Sequence, residues 1–280
     1  MGRVSPRLQH PVLLWTVASV ITLAAGMYQR MTGPTYPVSG SARIDGTAFD
    51  YRLDRSHTSG EDAPIRVTAA GTETDGTLEW RRHRTSDPWT AVPMRREGAD
   101  LVAALPSQPP AGKLDYRILL RSPAAGLTLP AAGAVTTRFK GAVPVWLLIP
   151  HILVMFSGML LSTRTGLEAL RTGPHLRALS VWTLAVLALG GFLLGPAAQW
   201  YAFGKWWTGW PVGTDLTDNK TAIAILVWGV AAAGVRFGRR PGPWAIAAAL
   251  VTLAVFLIPH SMFGTELDYS TGKIGNPAPR

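Results

Sequence analysis

At 280 residues the chain has room for one or two domains, and it is 48% hydrophobic with only 16% charged residues, against roughly 25% charged in an average soluble domain. It carries a formal net charge of +10 and no cysteine, which excludes disulfides, thiolate metal sites, a cysteine nucleophile and covalently attached c-type haem. Much of the basic excess lies in short segments between apolar runs, so it reads as a topology signal and not as a nucleic-acid footprint.

The first apolar run, Pro11 to Met27, follows Arg3 and Arg7. Ala24-Ala25-Gly26 offers small residues for signal-peptide cleavage, but no small-x-small pattern precedes a polar stretch, and the segment is expected to be a retained anchor. From Thr32 to Lys140 the character changes: 12 of the 17 carboxylates fall between Ile44 and Asp115. Short β-type runs recur there between Gly, Pro, Asp and Ser: Ala42–Ile44, Ile65–Ala69, Thr77–Arg82, Trp89–Met94, Leu101–Leu105, Leu114–Leu120 and Val135–Phe139. Several alternate, as in Leu78 and Trp80 or Tyr116, Ile118 and Leu120, which suits strands with one buried face. His57 and His83 lie in this region without a ligand partner at metal-site spacing, and both read as exposed histidines.

The stretch Leu105-Pro106 to Tyr116, with Pro109-Pro110-Ala111-Gly112 before Leu114-Asp115-Tyr116, resembles the E–F region of an immunoglobulin or fibronectin type III module. The resemblance covers residues 32–140 only. It implies an antiparallel sandwich with Trp80 as the core tryptophan of an early strand, and it implies no function.

Four more apolar runs follow, Val143–Leu161, Leu179–Ala198, Ala222–Val235 and Pro243–Met262, each approaching the roughly 20 residues a helix needs to cross the hydrocarbon core. None shows the polar stripe of a soluble core helix. Arg164, Arg171 and Arg177 lie between the second and third runs, and Arg236, Arg239 and Arg240 between the fourth and fifth. With Arg3 and Arg7 these make eight arginines against one acid, Glu168, on the side shared by the N-terminus. The expected fold is therefore an α+β membrane protein of five transmembrane helices, N-terminus in and C-terminus out, in the cytoplasmic membrane. Its parts are an N-terminal segment and helix over 1–31, an extracytoplasmic β-sandwich over 32–140, a four-helix domain over 141–263 and a tail over 264–280. The four helices are expected near 143–162, 179–198, 221–237 and 243–262.

Two sequence echoes mark the membrane half. In the first, Ile149-Pro150-His151 and Ile258-Pro259-His260 place a histidine near the outer face in two spans. Intramembrane histidines are costly and point to function. A facing pair would give a b-type haem its two axial nitrogens, with Ser157, Gly158, Gly190, Gly191 and Gly195 as small residues for a porphyrin to approach. The alternative is that each histidine bonds a neighbouring polar group. In the second echo, Gly213-Thr214-Asp215-Leu216-Thr217-Asp218 and Gly264-Thr265-Glu266-Leu267-Asp268 hold every carboxylate of the membrane half except Glu168. Asp215, Asp218, Glu266 and Asp268, with His260 as one imidazole, would suit a divalent cation. Alternatively Asp218 and Asn219 cap a helix starting near Lys220, and Lys220 and Lys273 neutralise the other acids.

Gln199-Trp200-Tyr201, Phe203, Lys205-Trp206-Trp207 and Trp210 form either an aromatic belt at headgroup level or a lid, with Trp206 and Trp207 against a quinone or haem edge. His175, after Gly173-Pro174, reads as a helix boundary. There is no P-loop, Rossmann fingerprint, HExxH or GxSxG. Three functions remain open: a redox subunit of a larger complex binding haem b or quinol, a scaffold or assembly protein whose sandwich docks an extracytoplasmic partner, and a metal-dependent membrane enzyme.

Overall fold

The computed structural model describes residues 10–68, 73–171 and 173–275. Arg3, Arg7, Ala69 and the last residues of the tail fall outside them. The chain divides into two units, a helical one of Met1–Gly33 with Val143–Gly264 and a β unit of Pro34–Ala142 with Thr265–Arg280.

The helical unit contains α1 (Pro11–Thr32), α2 (Val145–Ala169), α3 (Leu176–Ala188), α4 (Gly195–Phe203), α5 (Leu216–Phe237) and α6 (Pro241–Leu257). A six-residue π-turn, Leu189–Leu194, joins α3 and α4 into one run. Four helical runs are long and apolar enough to cross a membrane: Pro11–Thr32, Val145–Ala169, Leu176–Phe203 and Leu216–Phe237. The fifth, α6, has 17 residues, about 25 Å at 1.5 Å per residue. It was expected to run to 262, but it stops at Leu257, because Pro259 disfavours helical backbone at Ile258, which is extended (φ −67°, ψ 122°).

With almost no hydrophobic difference between a lipid tail and a leucine, apolar helices associate through small residues and polar contacts. Both occur here. Leu187 packs on Gly158, Met155 on Gly190, and Thr221 with Ile225 on Gly191. Trp228, fully buried, shares its indole N–H between Ser162 Oγ (3.1 Å) and Thr252 Oγ1 (3.0 Å), tying α5 to α2 and α6. Thr165 and Thr183 bond each other across α2 and α3 at 3.0 Å.

In the β unit, β1 (Val38–Ile44) and β2 (Thr47–Leu53) form a hairpin. One sheet runs β4 (Ala63–Thr68), β8 (Asp100–Leu105), β7 (Arg95–Glu97). The other runs β3 (Ser56–Thr58), β11 (Val135–Lys140), β9 (Lys113–Arg121), β5 (Asp75–Arg82), β6 (Thr90–Pro93), with β10 (Gly126–Leu129) also on β9. All pairs are antiparallel except β3 with β11. Both sheets contribute to one core of Ile65, Val67, Leu101 and Leu105 from the first and Leu78, Tyr116, Ile118 and Phe139 from the second. Strict alternation produces this: β9 is buried at every second residue from Leu114 to Leu120. Trp80 packs against the core but is only half-buried; the fully buried aromatic residues of this core are Tyr116 and Phe139.

The tail is part of this unit. After Gly264 the chain forms a short pair, β12 (Glu266–Leu267) with β13 (Ile274–Gly275). It docks on the β9 side: Leu267 N donates to Ala111 O at 3.0 Å, and Arg138 donates to the Thr265 carbonyl.

Candidate functional site

Within the helical unit, one end collects the sequence features singled out above. The Trp-rich connector 204–215 is tied to the start of α5 by side chains facing back from the helix. Asp218 Oδ2 accepts from Thr208 N (2.7 Å), Gly209 N (3.0 Å) and Thr208 Oγ1 (3.1 Å). Asn219 Oδ1 accepts from Trp210 N at 2.6 Å, and Gln199 Nε2 donates to Thr208 Oγ1 at 2.6 Å. The helix cap is Asp215, whose Oδ1 accepts from Thr217 N (2.8 Å) and Asp218 N (3.4 Å). Sequence reasoning placed the cap at Asp218 and Asn219, one turn too late. A Thr-Asp-Leu-Thr-Asp run offers two acidic candidates, and the first satisfies the orphan amides.

The same end satisfies the carbonyls that α6 leaves open. Gln29 Nε2 from α1 donates to Phe256 O (2.7 Å) and Ile258 O (3.3 Å), and Lys220 Nζ from α5 donates to Ile258 O at 2.7 Å. Lys220 is buried, with its ammonium 6.0 Å from the Phe256 ring centroid. Neither role was visible in the sequence, where Lys220 looked like a counter-charge for acids. An α-helix stopped by proline leaves acceptors behind it, and this is the signal that would have found both residues.

The aromatic side chains of the connector stack among themselves and on neighbours. Trp200 and Trp206 are stacked with centroids 5.1 Å apart, and Phe192 meets Trp207 edge-on at 5.9 Å. Trp206 and Trp210 are exposed at 55% and 77%, while Trp207 is half-buried and donates to Trp210 O at 3.1 Å. A shallow apolar groove of about 470 Å³ is lined by Tyr28, Ala254, Leu257, Ile258, Pro259 and Met262, from α1 and the end of α6.

His151 sits inside α2, half-buried, beside the Gly190 carbonyl of the π-turn and close to Gly195. Its Nδ1 is buried without a hydrogen-bond partner. His260 is exposed and lies beyond the end of α6, in the turn after Pro259. Contacts of Ala169 with Gly242 and of Gly166 with Ala249 fix α2 antiparallel to α6. The settings of the two histidines differ, and several of the glycines considered for a porphyrin are filled by Leu187, Met155, Thr221 and Ile225.

The four carboxylates considered for a cation are divided between the units. Asp215 and Asp218 serve the connector, whereas Glu266 and Asp268 belong to the β unit. Glu266 pairs with Lys113 (2.5 Å) and Arg84 (2.9 Å). Burial alone would raise its pKa, but these two cations hold the carboxyl below the usual range. Asp268 Oδ1 closes its own turn by accepting from Ser270 N and Oγ, and those bonds hold it ionised. Among the described residues no group of three or more His, Asp or Glu is placed to hold a metal ion.

In the β unit His83 is half-buried, its Nδ1 2.7 Å from Asp115 Oδ1, which also accepts from Thr136 Oγ1 at 2.7 Å. His57 is half-buried too, edge-on to Phe139, with a buried Nε2 lacking a hydrogen-bond partner. Both had been expected to be exposed. On the outward side of β5 and β9, Arg81 and Arg117 each lie 4.6 Å from the Trp89 ring, and Arg117 pairs with Glu79 at 2.7 Å.

No protein-family model matches this chain, and no curated protein shows significant sequence similarity to it.

Proposed function

We propose that this is a multi-pass membrane protein with its N-terminus in the cytoplasm, and that its β unit is an extracytoplasmic docking module for a protein partner. The observation carrying the reading is that the β unit is built from two segments, 34–142 and 265–275, each leaving the helical unit from one end of it. Thr32, Val145 and Leu257 end or begin their helices at that end, with Gln29 bonded to Ile258 O. At the other end lie Arg164, Arg171, Arg177, Arg236, Arg239 and Arg240 with Glu168 as the acid among them, a distribution that puts this end inside. On this reading α6 is a fifth span, its 17 residues lengthened by the Ile258–Met262 turn. At the outer end of the helices Asp215, Asp218 and Asn219 are engaged in holding the connector, and Gln29 and Lys220 in closing α6. The Arg81–Trp89–Arg117 face of the β unit combines aromatic and guanidinium groups, the residue types enriched in protein interfaces.

The test is a photo-crosslinking amino acid in place of Trp89 in the full-length protein in its own membrane. A discrete adduct at that position, absent when the label replaces Ser41 on the β1–β2 hairpin, supports the docking role. Equal or absent adducts at both positions refute it. A second reading, a redox subunit using haem b or quinol, has one observation in its favour: the buried, unpartnered Nδ1 of His151 beside a π-turn. A reduced-minus-oxidised visible spectrum of the purified protein decides it, since a haem signal must vanish in His151→Ala.

A further inference from the structure

Resting on the membrane reading just given, we infer that the turn between α5 and α6 is a binding site for the phosphate headgroups of anionic lipids. The turn is short: α5 ends at Phe237 and α6 begins at Pro241. It carries Arg239 and Arg240, with Arg236 in the last turn of α5 before it, all exposed. The one acid at this end, Glu168, is fully buried and already accepts from Arg164 Nη1 at 2.7 Å and pairs with Arg171 at 3.2 Å. It is therefore turned away from solvent, and the positive charge of the α5–α6 turn has no carboxylate of its own among the described residues at this end.

A second observation selects a lipid surface over a soluble anion. Phe237 is 82% exposed, its ring 5.2 Å below the Arg236 guanidinium, and Trp244 is 46% exposed, its ring packed over Gly234. Free phosphate or nucleic acid would cover the guanidinium groups and leave a bare phenyl ring in water. A bilayer takes both, with the ring below the glycerol level and the cations among phosphates. Trp244, one turn into α6, and the exposed Trp182 of α3 mark the headgroup level at this end, where tryptophan is enriched. Anionic cytoplasmic leaflets attract each Lys or Arg near the surface by about a factor of five, so three arginines within the five residues 236–240 make a selective contact.

The experiment titrates phosphatidylglycerol into full-length protein in phosphatidylcholine nanodiscs and reads the thermal unfolding midpoint. The midpoint is expected to rise with anionic lipid for the wild type, and the rise to shrink by roughly half or more in Arg236→Gln/Arg239→Gln/Arg240→Gln. The corresponding triple lysine variant keeps most of the rise, and it stands in if the glutamine variant does not fold. Phe237→Gln, with every charge retained, reduces the response. A rise of equal size in the glutamine variant overturns the inference, as does a rise reproduced by inorganic phosphate in place of lipid. If alkaline carbonate strips the protein from membranes, the membrane reading fails and this inference with it. If the protein resists carbonate but shows no lipid preference, the inference alone fails.

Discussion

Glu168 shows how much depends on single side chains in this molecule. It is fully buried, held between Arg164 and Arg171, with Trp15 of α1 stacked 5.4 Å from the Arg164 guanidinium. Removing the carboxylate strands a buried guanidinium, and losing one partner of a buried pair costs about 3–5 kcal/mol. Glu168→Ala is therefore expected to lower the unfolding midpoint in detergent far more than Arg177→Ala in the first turn of α3. Asp218 holds two backbone amides and a hydroxyl of the connector. Asp218→Ala leaves buried donors without acceptors, at about 1–3 kcal/mol each. It should expose the 204–215 loop to protease while the β unit stays resistant, as mass mapping of the fragments would reveal. Neither residue could be weighted correctly from sequence. An acid among arginines reads as solvated, and two nearby aspartates compete for one cap, until the backbone decides which one faces the amides.

At the scale of elements, helices were legible from the length of their apolar runs and strands from the alternation that burial of one face imposes. The five apolar runs each became helix, and the seven β-type runs each fall largely on a strand. What escaped were β2, whose buried Phe49 and Leu53 are separated by Asp50 and Arg52, the strands β3, β7 and β10 of three or four residues, and the β12–β13 pair, whose stability comes from ion pairs and hydrogen bonds. Tyr269 illustrates this. Its hydroxyl accepts from Lys113 N at 3.0 Å and lies 2.9 Å from Lys113 O and 3.0 Å from Gln108 Oε1, to one of which it donates. Such partners lie more than 150 residues away in sequence, and no spacing rule reaches them. The docked pair has a pH signature. The Glu266 pKa is depressed in the folded protein, so its contribution is present above the ordinary carboxylate pKa and is lost as pH falls through the folded value. Asp115 behaves alike: burial would raise it, but bonds from His83 and Thr136 and the charges of His83 and Arg81 hold it low. Acidification below about pH 4 should therefore release the tail. Proteolysis near Ser270 should rise in acid for the wild type, and in Glu266→Gln it should already be high at neutral pH.

For the whole molecule, the cysteine-free sequence makes topology directly measurable. Single-cysteine variants at Ser107 and Ser270 should react with a membrane-impermeant maleimide in intact cells, whereas His175→Cys should react only after permeabilisation. Labelling of His175→Cys in intact cells would overturn the proposed orientation. The candidate site was only partly legible at this scale. The convergence of Trp200, Trp206, Trp207, Asp215 and Asp218 at one end of the helices followed from counting spans. The placement of Glu266 and Asp268 in the other unit did not, because a tail after the last helix carries no marker of where it returns.

That return has a consequence for how the protein is made. The β9 side of the β unit receives residues 265–275 only after the ribosome has passed α6. Until then Lys113 and Arg84 lack their shared carboxylate, and Ala111 O lacks the Leu267 amide. Completion of the β unit therefore follows synthesis of the last helix. A chain stopped after Gly264 should accumulate as a protease-sensitive precursor with its helices in place, recognisable to the cell's quality control by the surface the tail would have covered.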